Sequence, residues 1–278
     1  IPFIYNLQDV FPDSLVGVGM TKENSLVYKI GRRIEDYTYR NADRIIVISN
    51  DIKQNIVNKG VSEEKIVVVP NWIDSEKVHP IAKEDNYLFD KYHISKNKYT
   101  VVYAGNLGYA QNIEVIIKSA ELLKQYKDIQ FVIFGKGAQE NEYKEMAVGL
   151  DNIYFFPIQP YSEVPYVYSV GDVSVVPCKK GFGSSAMPSK TWSIMATGTP
   201  VLASFDSETE MENIIMTEEV GLFSVADDFR GLADNILKLY ADVGLKEKLG
   251  MNARIYVENN LNRRACTQKY IDTIMEIV

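Results

Sequence analysis

The chain has 278 residues, 46% of them hydrophobic and 24% charged, with a formal net charge of −7. That is globular composition, enough for one large or two modest domains with a buried core. The acidic balance argues against nucleic acid as a main partner, and no apolar run reaches the ~18 residues needed to span a bilayer. The two cysteines, Cys178 and Cys266, lie far apart and fit no metal or redox spacing, and neither His79 nor His93 has ligand spacing. Reduced thiols, no metal and no signal peptide are therefore expected, with the cytoplasm as default compartment.

In chain order, residues 2–6 read as an apolar extended segment. Residues 24–41 read as an amphipathic helix with Leu26, Ile30, Ile34 and Tyr37 on one face. Residues 44–48 form a β-branched strand, followed by the helix-cap cluster Ser49-Asn50-Asp51. Residues 66–69 are a further strand, stopped by Pro70-Asn71. Three strands are few for an independent α/β domain, and the chain opens inside a strand without an initiator Met. The expectation is that further strands precede Ile1. Residues 74–98 are polar and irregular and read as a linker with one short helix.

A second βα series follows. Strands are predicted at 100–104, 130–134, 153–156, 172–176, 201–204 and 221–225, with helices between them and a helical C-terminus. Such alternation implies a parallel, doubly wound sheet, which binds ligands at the C-terminal ends of its strands. Those ends carry suggestive residues. The first is followed by Gly105-Asn106-Leu107-Gly108, where glycines let backbone approach an anion. The second is followed by Gly135-Lys136-Gly137, and the fourth by a loop with Lys179, Lys180 and Ser185. Pro188-Ser189-Lys190 opens a helix, with the Ser189 hydroxyl expected to accept first-turn amides. Ser207 looks like another helix cap. Each feature alone is ordinary turn chemistry, but the four that directly follow strands, at one sheet edge, describe a diphosphate pocket of amides, hydroxyls and lysines. Neither the Gly-x-Gly-x-x-Gly dinucleotide fingerprint nor a P-loop is present.

The series Pro70-Asn71-Trp72-Ile73-Asp74, Ala104-Gly105-Asn106-Leu107-Gly108, Pro188-Ser189-Lys190 and Met195-Ala196-Thr197-Gly198-Thr199-Pro200-Val201 resembles the retaining glycosyltransferases of family 4. The similarity is greatest to the bacterial branch that builds surface polysaccharides, and it covers essentially the whole chain. It implies the α/β GT-B fold: two Rossmann-like parallel-sheet domains, the N-terminal one incomplete here. Residues 1–76 would be the second half of the acceptor domain, completed by the final helix, 263–278, through Tyr270, Ile274 and Ile277. Residues 77–262 would bind the donor.

The resemblance also implies roles. Gly105, Asn106, Leu107 and Gly108 would lie against the donor diphosphate, with Lys136 and Lys190 supplying positive charge. Ile158, within the segment 156–159, would face the nucleobase. Ser207 and Glu208 would open the helix that holds the distal phosphate. Ser185 and Ser193 stand where many relatives carry glutamates, so the hydroxyls would replace charged contacts to the sugar and ribose. Asp9 and Lys190 are the candidate catalytic residues.

The expected reaction is metal-independent, retaining transfer from a nucleotide-diphospho-sugar, with uridine the commonest base, to a lipid-linked saccharide acceptor. No cofactor is expected, and peripheral contact with the inner membrane face is. The rival reading is a non-catalytic nucleotide-sugar-binding fragment, or one subunit of a split enzyme. An epimerase on the same scaffold would need carboxylates and a histidine around the sugar, and both histidines lie in the expected linker.

Overall fold

The computed structural model describes every residue except Val18. Among the described residues there are two parallel sheets. The smaller contains β1 (Ile4–Leu7), β2 (Arg44–Val47) and β3 (Ile66–Val68) in that order. The larger contains β4 (Tyr99–Asn106), β5 (Ile129–Lys136), β6 (Ile153–Phe156), β7 (Val173–Pro177), β8 (Val201–Phe205) and β9 (Gly221–Val225). Its order is β6-β5-β4-β7-β8-β9, so the winding direction reverses between β4 and β7. That reversal opens a crevice at the carboxyl ends of the strands.

Twelve helices connect and cover the sheets among the described residues. They are α1 (Asp13–Gly17), α2 (Leu26–Asn41), α3 (Asn50–Asn58), α4 (Leu88–Lys91), α5 (Glu114–Leu122) and α6 (Glu140–Met146), then α7 (Val164–Tyr168), α8 (Lys190–Ala196), α9 (Glu210–Thr217), α10 (Phe229–Ala241), α11 (Val243–Asn260) and α12 (Arg263–Met275).

The larger sheet is buried on both faces, as parallel sheets generally are. Alternation along β4 sends Val101 and Tyr103 into the layer that holds α5 and α10, while Val102 enters a second core with Val132, Phe134 and Val176. This second core is continuous with the smaller sheet. It runs from Ile45, Val47 and Ile52 through Ile73 and Val78 to Trp192 and Met195 on α8. Every residue of α8 from Thr191 to Ala196 is buried, because the helix lies between packed layers rather than at the surface. It stops at Gly198, whose φ of +67° suits the left-handed turn that ends a helix. A Cβ at Gly250 on α11 would lie 2.2 Å from the Gly198 carbonyl, so the two backbones touch.

The connection between the sheets is fixed. Ile73 N–H donates to Leu261 O at 3.1 Å. The Arg254 guanidinium donates to the carbonyls of Ser75 at 2.9 Å, Val78 at 2.8 Å and Ala196 at 2.5 Å. The segment 74–98 is accordingly packed rather than a loose linker. Val78, Asn86, Leu88, Phe89 and Ile94 are all buried, and Asn86 Nδ2 donates to Tyr166 O at 2.8 Å.

Two faces read from periodicity prove different. On α2, Leu26, Ile30, Ile34 and Tyr37 point outward, with exposures of 46% or more. The buried face is instead Gly31, Glu35 and Tyr39. Gly31 lets the helix close on Phe11 and Pro12. Glu35 accepts from Tyr39 Oη and Lys59 Nζ and pairs with Arg32, so a satisfied polar hub occupies the inward side. On α12, Cys266 and Tyr270 pack with Ile4, Ile46, Val67 and Val69. Ile274 is exposed, and Thr273 takes the buried position of that turn.

Candidate functional site

A pocket of about 300 Å³ lies at the carboxyl edge of the larger sheet. Ala104 and Gly105 at the end of β4 and Phe134 on β5 line one side. The segment 158–161 and α7 form another side, and Ser189, Lys190 and Ser193 present the start of α8. The walls are largely apolar, and the polar groups converge from α8, which is how small-molecule sites are commonly built.

Lys190 is the central cation. Its Nζ lies 4.3 Å from the centre of the Tyr103 ring and donates to Tyr103 Oη at 3.0 Å. Tyr103 Oη in turn donates to Asn106 O at 2.7 Å. Among the described residues no carboxylate forms an ion pair with Lys190. Burial lowers its pKa to about 8. A Cβ at Gly105 would fall 2.8 Å from Nζ, so a side chain there would displace the ammonium. Gly105 itself has φ +145°, a conformation that favours glycine.

Other α8 residues are arranged differently from the sequence expectation. Ser189 is already helical, at φ −59° and ψ −20°, and makes no capping bond. The first amides go to backbone instead, Thr191 N–H to Pro188 O at 3.0 Å and Trp192 N–H to Ser189 O at 3.2 Å. Its side chain faces the pocket, as does that of Ser193 one turn later.

The glycine loop divides. Leu107 is a core side chain, 1% exposed, whose N–H donates to Lys136 O and whose carbonyl accepts from Gln139 N–H. Its N–H is therefore already paired within the protein. Gly108 is buried, and its carbonyl accepts from Tyr143 Oη at 3.4 Å. Asn106 and Lys136 are exposed at the paired ends of β4 and β5. Lys179 and Lys180 are exposed too, and Lys179 lines a different cavity with Tyr109 and Asp227. Ile158 and Gln159 both form part of the pocket wall, and Gln159 Nε2 donates to Tyr92 Oη at 2.9 Å.

Ser207 and Glu208 do not open a helix. Thr209 is the N-cap of α9, accepting from Glu212 N–H, and Glu208 sits at φ +60°. The first α9 amide, of Glu210, is taken by Asp51 Oδ2 at 2.8 Å, and the Glu210 carboxylate accepts from Asn50 Nδ2 at 3.0 Å. Two helix starts, one beside each sheet, thus cap each other. Burial raises the pKa of both Asp51 and Glu210.

Ser185 lies in the turn Gly183–Ser185. Asp9 is exposed just beyond β1, with no hydrogen bond or ion pair to Lys190. Cys178 is buried, and desolvation, followed by the nearby Asp206 charge, pushes its thiol up to about 12, so it is inert. Among the described residues no three His, Cys, Asp or Glu side chains gather as a metal-holding group, and no helix is long and apolar enough to cross a membrane. Sequence reasoning missed Tyr103, whose only signal was strand alternation, and Asp206, which carried none.

Comparison with known proteins agrees with this architecture. Residues 85–256 match the family described as glycosyl transferases group 1, and residues 1–77 match glycosyltransferase family 4. WcaI of Escherichia coli, named for colanic acid biosynthesis, is 26% identical over 98% of this chain and 67% of its own length. WbjE of Pseudomonas aeruginosa, named a glycosyltransferase, is 30% identical over 78% of this chain and 54% of its own. The chain therefore spans between about half and two thirds of these relatives. The Anabaena Alr3699/HepE structure in complex with UDP superposes with a TM-score of 0.83, at 15% identity, over 99% of this chain and 72% of that one. The fold is of the GT-B type, and the chain belongs to the group 1 glycosyl transferases of family 4.

Proposed function

We propose that this chain carries the donor site of a retaining glycosyltransferase that uses a uridine-diphospho-sugar without a metal ion. The acceptor would be a lipid-linked saccharide in surface-polysaccharide synthesis, reached from the inner face of the membrane. The observation that carries the reading is the α8 pocket, where an apolar wall faces a lysine that pairs with no carboxylate among the described residues. A desolvated cation held in place before substrate arrives is suited to a leaving diphosphate. The relatives' names support the biosynthetic setting, and the neighbouring structure with UDP supports the base.

In this reading Lys190 and nearby amides stabilise the diphosphate as the bond from its oxygen to the anomeric carbon breaks. The acceptor oxygen bonds to that carbon on the same face, and its proton passes to the departing phosphate oxygen. Ser189 and Ser193 would hydrogen-bond the ribose or phosphate, and Ile158 would cover the base. Asp9, on the other sheet, would face the acceptor.

The test is calorimetric titration with UDP, GDP, ADP and inorganic phosphate in the presence of EDTA. Selective binding of UDP, weakened in Lys190→Ala, is expected. Binding that requires a divalent ion would overturn metal independence, and equal affinity for all nucleotides would overturn the base assignment. Binding without transfer to any acceptor would favour the fragment or split-subunit reading.

A further inference from the structure

The loop between β7 and α8 is held by one carboxylate. Asp206, just after β8, accepts from Gly181 N–H at 2.9 Å with one oxygen and from Gly183 N–H at 2.8 Å with the other. Its own carbonyl accepts from Thr209 Oγ1 at 2.8 Å, which ties it to the start of α9. Gly183 is buried so closely that a Cβ there would lie 3.0 Å from Asp206 Cβ and from the Phe205 ring. Gly181 has φ +83°, so the chain reverses sharply between the two bonds.

The same loop reaches both halves of the molecule. Phe182, between the clamped amides, packs against Gly17, where a Cβ would lie 2.3 Å from its ring. The turn Gly183–Ser185 packs against α3. A few residues later the chain becomes Ser189 and Lys190 of the pocket. We infer that Asp206 is a positioning residue: its bidentate clamp sets the loop 179–187, and through it the start of α8, in the geometry that receives the donor. Carboxylate bonds to backbone amides are among the stronger hydrogen bonds, and a loop fixed before binding spares the ordering cost that a mobile one would incur. The inference rests on the donor-site reading above.

The test uses the 278-residue chain with Asp206→Ala and Asp206→Asn, read by trypsin cleavage after the exposed Lys179 and Lys180, by UDP titration and by melting temperature. Asp206→Ala should cleave at the loop at least about tenfold faster and bind UDP roughly tenfold more weakly, with the melting temperature lowered by only a few degrees. Asp206→Asn keeps one acceptor oxygen and should fall between; if the alanine variant does not fold, it carries the comparison. Unchanged cleavage overturns the clamp. Faster cleavage with undiminished UDP affinity overturns its link to the site. If the parent chain binds no nucleotide, the donor reading fails and cleavage alone decides the clamp.

Discussion

The two sheets bury their surfaces in different ways. The six-stranded sheet has a core on each face, and its buried charge is matched on the spot. Asp172 accepts from Lys83 Nζ at 2.9 Å, Lys246 Nζ at 3.0 Å and Thr100 N–H at 2.9 Å. The three-stranded sheet shares its core with α8 but leaves the apolar face of α2 exposed, and it buries the Glu35 hub instead. One region is closed around its own chain, and the other carries a face with nothing on it among the described residues. The candidate site belongs to the closed region, which gives it the rigid walls that preorganised binding requires.

Removing Asp172 should have the largest effect. Asp172→Ala takes the shared counter-ion from Lys83 and Lys246, which are 33% and 21% exposed, and leaves the buried Thr100 N–H without its acceptor; with the lysines partly solvated, about 2–3 kcal/mol is expected. Urea denaturation would measure it; a change under about 1 kcal/mol would show that the larger region is not held this way. The pH dependence has a defined sign. Desolvation opposes ionisation of Asp172, but Lys83, the Thr100 amide and Lys246 outweigh it and hold its pKa below the ordinary carboxylate range. Its contribution is therefore complete above the ordinary carboxylate range and is lost as pH falls through the lowered value.

Next in size, Lys190→Ala should weaken UDP binding by about 1.5–3 kcal/mol, the range for hydrogen bonds to charged groups. Unaltered affinity in the titration would place the diphosphate elsewhere. A smaller effect follows from its pKa of about 8. UDP affinity should be flat between that value and the second ionisation of the UDP terminal phosphate, at about 6, and fall by at most about tenfold per pH unit above the lysine value, as the ammonium loses its proton. The slope should vanish in Lys190→Ala, and a slope that persists would assign it to another group.

The smallest effect belongs to the open region. Ile30→Glu on the exposed face of α2 should change stability by no more than about 0.5 kcal/mol. A larger loss, with a change in sedimentation, would show that a second copy covers that face in solution.

The larger sheet was legible in the sequence because a parallel strand buried on both faces is a run of apolar residues, and β5 and β7 are such runs. Lys190 and the pocket end of β4 were legible for a similar local reason: a glycine where backbone must stay bare and a lysine at a helix start. The α2 face was misread because periodicity reports which residues share a side, not which side is inward. Inward was decided by Gly31 closing on Pro12 and by Glu35 finding Tyr39 and Lys59. The burial of Leu107 was not legible, because a glycine-flanked leucine looks like loop while its side chain belongs to the core.

By itself, then, the sequence determined the alternation of strands and helices, the family and the edge of the sheet where chemistry sits, since each of these is written in local pattern. The tertiary structure alone decided that Tyr103 lies under Lys190, that Asp51 and Glu210 cap each other's helices, and that Asp206 clamps the loop before α8. These pairs lie from 23 to 160 residues apart, and hydrogen-bond partners so distant are chosen by how the layers pack, which no local window of residues contains.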